Sequence, residues 1–130
     1  MSDRALRIVR LLWVLGYLVG TTTHVVDLVL GGTEVYAGFP TAVRLFWVSL
    51  TIVDPLVIVL LLLRRRAGVV LGVVVIVVDV AVNGTVLATT AGLSLGGIVN
   101  QSLFAVFVLV TARPLWAWFG RPAHLARYDP

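Results

Sequence analysis

Residues 67–88 read AGVVLGVVVIVVDVAVNGTVLA. The valine-rich run 73–78 would suit a buried strand, but the apolar stretch is several times the usual strand length of about 5–6 residues. A helix needs ~20 mostly apolar residues to cross the hydrocarbon of a bilayer, where only helices and closed barrels satisfy their backbone groups. This segment qualifies, and so do 8–30, 41–63 and 93–112. Four segments of helical length cannot close a barrel. The expected fold is therefore all-α, one domain over residues 1–130 made of a bundle of four transmembrane helices. Residues 113–130 read as a basic, aromatic tail at the membrane interface.

Composition points the same way. Of the 130 residues 60% are hydrophobic and 12% charged, against about 25% charged in a soluble domain. The net charge of +4 does not form a face for nucleic acid, because the arginines sit at the ends of apolar runs. The chain has no cysteine, so disulfides, thiol redox chemistry and thiolate metal sites are excluded.

The arginines also predict orientation. Arg4, Arg7 and Arg10 precede the first span, Arg64, Arg65 and Arg66 join the second to the third, and Arg113, Arg121 and Arg127 follow the fourth. Arg44 alone lies near the other side. By the positive-inside rule both termini and the middle loop are cytoplasmic, in the cell membrane, and the bias disfavours dual topology. The first span is too long for a signal-peptide core and no small-residue cleavage pattern follows, so it reads as an uncleaved anchor. Trp116, Trp118, Phe119 and Tyr128 in the tail, interleaved with Arg121 and Arg127, suit the headgroup zone.

Three spans each carry an aspartate: Asp27, Asp54 and Asp79. An acid at the bilayer centre costs roughly 2.5–3.5 kcal/mol on insertion scales, so each marks a polar site of some kind. Residues three or four apart share a helix face. The first span then shows Trp13, Tyr17, Gly20, His24 and Asp27 in one stripe; the second shows Arg44, Trp47, Thr51 and Asp54. The third shows Gly68, Gly72, Asp79 and Asn83, and the fourth Gly97, Asn100 or Gln101, and Phe104. Counting ~1.5 Å per residue from the span ends places most of these polar groups in the outer half. One outward-opening crevice bounded by His24, Asp27, Arg44, Asp79, Asn83, Asn100 and Gln101 is expected. Arg44 is assigned to Asp27, Glu34 or a headgroup. Asn83, Asn100 and Gln101 are read first as hydrogen-bonding glue between helices, and as crevice groups second.

Asp54 falls deeper, in the drier half, and Pro55 follows it. The proline removes a backbone donor from the second helix and predicts a kink. Asp54 is either a hinge residue bonding nearby backbone or hydroxyls, or a buried acid facing a cavity. The glycine pairs Gly16/Gly20, Gly68/Gly72 and Gly92/Gly96 match the small-xxx-small pattern of close helix approach, read here as packing within the bundle.

His24 and Asp27 offer at most two ligands on one helix, and His124 lies in the tail, so no metal site is expected. The serines lack a histidine partner at their depth, no phosphate-binding loop occurs, and no cofactor is implied. Small multidrug-resistance exporters share this size but depend on a first-helix glutamate, where this chain has only Asp27. Fluoride channels work as dual-topology dimers, against the arginine bias. The pattern Phe46-Trp47-x-Ser49-Leu50-Thr51-x-x-Asp54-Pro55-Leu56 with Asp79-x-x-x-Asn83 resembles an uncharacterised group of small bacterial four-helix membrane proteins, which implies topology alone. With His24 and Asp27 at one helix end, the chain is more loosely similar to the sterol-isomerase and sigma-2-receptor superfamily. That likeness implies acids around a hydrophobic-ligand pocket, although the superfamily's other acidic motifs are not met.

The leading expectation is a non-enzymatic multi-pass protein that binds a hydrophobic or cationic small molecule, or serves a membrane partner protein. The first alternative is proton- or cation-coupled transport by a homo-oligomer, with Asp79 and Asp54 as carriers. The second is an enzyme on a lipid-soluble substrate, with His24 and an aspartate as acid and base.

Overall fold

The computed structural model describes residues 1–90 and 93–122. His124, Arg127, Tyr128 and Gly92 lie outside the described residues. Four helices follow one another: α1 (Asp3–Gly31), α2 (Thr41–Leu62), α3 (Arg66–Thr89) and α4 (Leu95–Phe119), with a 3-10 turn at Gly32–Glu34 after α1. There is no strand among the described residues. All four helices are long and apolar enough to cross a membrane.

Local chemistry sets the helix ends. The Ser2 hydroxyl accepts from the Ala5 amide at 3.2 Å with Asp3 in the first turn, which caps α1 and complements its dipole. Gly32, at φ +53°, ends it. Pro40 stands just before α2, and Ser94 accepts from the Gly97 amide at 3.4 Å at the start of α4.

The short connections make successive helices antiparallel neighbours, and α4 returns to lie beside α1. Both helix α1's start and helix α4's finish therefore share one end of the bundle, called here the terminal end. Of the four adjacent pairings, α1 against α4 is the loosest.

Packing differs sharply between the halves. Toward the terminal end Leu6, Trp13, Val57, Leu61, Val108 and Leu115 are fully buried. The Trp13 indole donates to Thr111 Oγ1 at 2.9 Å, and the Tyr17 hydroxyl donates to the Gly72 carbonyl at 2.6 Å. A Cβ at Gly72 would lie 3.0 Å from the Trp13 ring, and one at Gly68 would lie 2.7 Å from Leu60. These two glycines thus serve contacts inside the chain. Around the outside, large apolar side chains such as Val19, Leu30, Leu45, Ile52 and Val110 stand exposed, the reverse of a water-facing surface. Thr22, Thr23 and Thr85 are exposed too, but each hydroxyl donates to the carbonyl four residues back. Such threonines carry no unsatisfied hydroxyl donor into an apolar surround.

Two boundaries differ from the sequence reading. Helix α1 starts at Asp3 rather than near residue 8, because Ser2 caps it. Helix α4 runs through Pro114 to Phe119 instead of stopping at 112. A proline inside a helix costs ~3 kcal/mol, but continuing buries Leu115 completely and Trp118 to 3% exposure. Close packing of these two side chains against the other helices carries the helix past the proline, which neighbouring helices make tolerable in a membrane span. Trp116, Trp118 and Phe119 consequently belong to helix α4 and not to a tail after it.

Candidate functional site

Away from the terminal end the bundle is hollow. A cavity of about 500 Å³ lies between α1, α3 and α4 with α2 behind it. Small residues on two helices make the room. Gly16 and Gly20 on α1 and Gly97 on α4 all line it. The Phe104 ring fills the space where a Gly16 Cβ would be, and a Cβ at Gly20 would fall 2.6 Å from Asp54 Oδ2. Exposed Val19, Thr23, Gly97 and Asn100 belong to the lining, so the cavity opens between α1 and α4, where the pairing is loosest.

One polar wall is built from three helices. Asp79 on α3 is 8% exposed. Its Oδ1 accepts from Asn83 Nδ2 at 3.3 Å, and its Oδ2 accepts from Gln101 Nε2. Asn83 Nδ2 also donates to Gln101 Oε1 at 3.0 Å, while Asn83 Oδ1 accepts from the Trp47 indole of α2 at 2.8 Å. The amide of Asn83 is thereby engaged at both ends. Asp79 and Asn83 meet because they are four apart on one face; Gln101 is brought across by the α3–α4 pairing.

Asp54 is the second acid of the cavity. It is 5% exposed, and its buried Oδ1 has no hydrogen-bond partner among the described residues. Helix α2 continues through Pro55. The cavity thus reaches further toward the terminal end than the outer-half crevice expected from depth, and takes in a residue assigned to the dry half. The physical reason is Gly20, whose missing side chain leaves space beside the Asp54 carboxylate.

A second polar chain sits at the rim. The Tyr36 hydroxyl donates to Asp27 Oδ2 at 2.8 Å and lies 3.1 Å from His24 Nδ1. Tyr36 has one proton and gives it to Asp27, so the hydrogen-bond network assigns the donor role in the other contact to His24 Nδ1–H. Burial, and next its hydrogen bond to Asp27, push the Tyr36 phenol above its ordinary value.

The expected constellation is therefore divided. Asp79, Asn83 and Gln101 are joined by hydrogen bonds, and His24 and Asn100 line the same cavity. Asp27 is not among the lining residues; it is held by Tyr36. Arg44 is not in the lining either. Rather than pairing with Asp27 or Glu34, its Nη2 donates to the Thr33 carbonyl at 3.5 Å, because the 3-10 turn after α1 presents that carbonyl within its reach. The only ion pair among the described residues is Arg121 with Asp3, at 3.0 Å.

Two participants escaped the sequence reading in their roles. Trp47 was on the expected α2 stripe, and a buried indole N–H calls for an acceptor, but nothing in the spacing names Asn83. Tyr36 lies in a connection without periodicity. No group of three or more His, Asp or Glu among the described residues is placed to hold a metal ion. No protein-family model matches the chain, and no curated protein or solved structure matches it.

Proposed function

We propose that this chain is a non-enzymatic protein of the cytoplasmic membrane, with both termini cytoplasmic, that binds a small amphipathic molecule in the cavity between α1 and α4. One observation carries the reading. Two buried carboxyl groups, Asp54 and Asp79, line the same space as Val19, Ile76, Ile98 and Phe104, with no arginine in the lining. Ligand pockets combine apolar walls with a few convergent polar groups in this way, typically in volumes of ~300–1,000 Å³. An occupant with an apolar body and a hydrogen-bond-donating or cationic end complements both surfaces. The opening between two lipid-facing helices admits it from the bilayer or from the outer side.

A hydrophobic fluorophore bearing an amine, compared with its neutral analogue, tests this on purified protein in detergent. Saturable binding of the amine that weakens in Asp54→Asn and Asp79→Asn supports the reading; equal binding of the neutral analogue overturns the role of the acids. The absence of cysteine also allows Asn83→Cys, Asn100→Cys and Gln101→Cys to be labelled one at a time. Reaction with a polar thiol reagent added from outside is expected, and uniform protection would sink the outward opening.

The unpartnered Asp54 Oδ1 supports a second reading, proton- or cation-coupled transport by an oligomer with Asp54 and Asp79 as carriers. That reading requires a pH-linked flux in proteoliposomes that Asp79→Asn abolishes.

A further inference from the structure

At the terminal end, three N–H donors gather around one ring with no acceptor among the described residues. Trp118, in the last turn of α4, is 3% exposed. The Arg64 guanidinium lies over its indole, Cζ 4.2 Å from the ring centroid, and Arg64 Nη2 donates to the Trp118 carbonyl at 3.1 Å. The Arg10 guanidinium approaches the same ring, with Cζ at 5.8 Å. Arg10 Nε, Arg64 Nε and Trp118 Nε1 are all buried, and none has a hydrogen-bond acceptor among the described residues.

Among the described residues the charge there is one-sided as well. The only carboxylate side chain at this end among the described residues is Asp3, and Arg121 takes it. The indole face attracts the two guanidiniums but offers them no oxygen. Arg64 holds a backbone φ of +53° as the left-handed residue that closes α2, its own amide and that of Arg65 donating to the Leu61 and Leu60 carbonyls.

A phosphate group supplies the charge and the acceptor oxygens that the two guanidiniums lack among the described residues. It carries negative charge, offers several acceptor oxygens, and matches the planar fork of a guanidinium. Arg10 in α1, Arg64 in the α2–α3 turn and Trp118 at the end of α4 all stand where the apolar stretches finish, the level of lipid headgroups. We propose that Arg10, Arg64 and the Trp118 indole form a binding site for a phosphate-bearing anion, the headgroup of an acidic phospholipid. The site would bridge three elements at the end of the bundle opposite the mouth of the cavity, and it is independent of what the cavity binds.

The test is thermal unfolding of the full chain in a neutral detergent, titrated with phosphatidylglycerol, phosphatidylcholine or inorganic phosphate. Phosphatidylglycerol is expected to raise the melting temperature saturably and phosphatidylcholine is not. Arg10→Gln and Trp118→Phe should each weaken the apparent affinity by roughly tenfold, the size of one charge-assisted hydrogen bond. Arg4→Gln, which removes an exposed charge at the same end, should leave it within about twofold. Should Arg10→Gln fail to fold, Arg10→Lys keeps the charge without the fork and is expected to lose affinity too. A phosphate effect through the same residues would assign the site to the free anion as well; its absence would assign it to the headgroup. Equal stabilisation by both lipids overturns the proposal, as does a loss in Arg4→Gln equal to that in Arg10→Gln.

Discussion

The indole of Trp47 on α2 holds Asn83 on α3 by its side-chain oxygen at 2.8 Å, leaving the amide nitrogen of Asn83 to serve Asp79 and Gln101. Trp47→Phe keeps the ring and removes the donor. It is expected to cost about 1 kcal/mol, the usual worth of such a bond, as a lower unfolding midpoint in detergent. A double-mutant cycle with Asn83→Ala should return a coupling of about 0.6 kcal/mol or more, the mean for polar pairs between membrane helices.

Asp79 accepts from two amide donors, and Asp79→Asn forces an N–H against at least one of them. A loss of about 1–3 kcal/mol in stability is expected from the unsatisfied donor, together with weaker binding of the amine fluorophore. Stability loss with unchanged fluorophore binding would mark Asp79 as packing glue.

Two glycines give opposite expectations for the same change. In Gly20→Ala the new methyl would fall 2.6 Å from Asp54 Oδ2, so the variant should lose about 1–3 kcal/mol as the carboxylate is displaced. Gly84→Ala meets nothing within 4 Å and should be neutral or stabilising by up to ~1 kcal/mol from helix propensity. Thermal melts of both proteins in one detergent compare them directly.

Gly16→Ala drives a methyl into the Phe104 ring. The single variant should be destabilised, and Phe104→Leu in the same chain should restore part of the loss by freeing the space. An additive pair, measured by the same melts, would show that the two residues do not meet.

Tyr36 supplies a pH signature. Its phenol titrates above the ordinary value of 10.0 in the folded chain, so its contribution to stability is complete below that value. The contribution declines as pH rises past it toward the folded value. Wild type should therefore lose melting temperature faster than Tyr36→Phe above about pH 10, and the gap between them should narrow. Parallel curves would remove Tyr36 from the network.

The four helices were legible because length and hydropathy alone exclude strands, and Asp79 with Asn83 because a four-residue spacing puts both on one face. Choosing Gln101 over Asn100 needed the rotation of α4 against α3, which depends on packing that no single helix encodes. Asp54 stayed open between hinge and cavity wall, because counting residues along a straight helix cannot show that Gly20 on a neighbouring helix lets its carboxyl group into the cavity. Tyr36 and the extension of α4 past Pro114 both depend on tertiary contacts that outweigh local signals.

The tight terminal half turns the hollow half into a cul-de-sac. A solute that reaches Asp54 has Trp13, Val57, Leu61 and Val108 ahead of it, all without exposure. To go further it must part the Trp13–Thr111 bond and displace these fully buried side chains. On the proposed reading, a monomer in this conformation would therefore capture and release on the same side. Passage to the other side would demand a second arrangement of the helices with that packing dismantled.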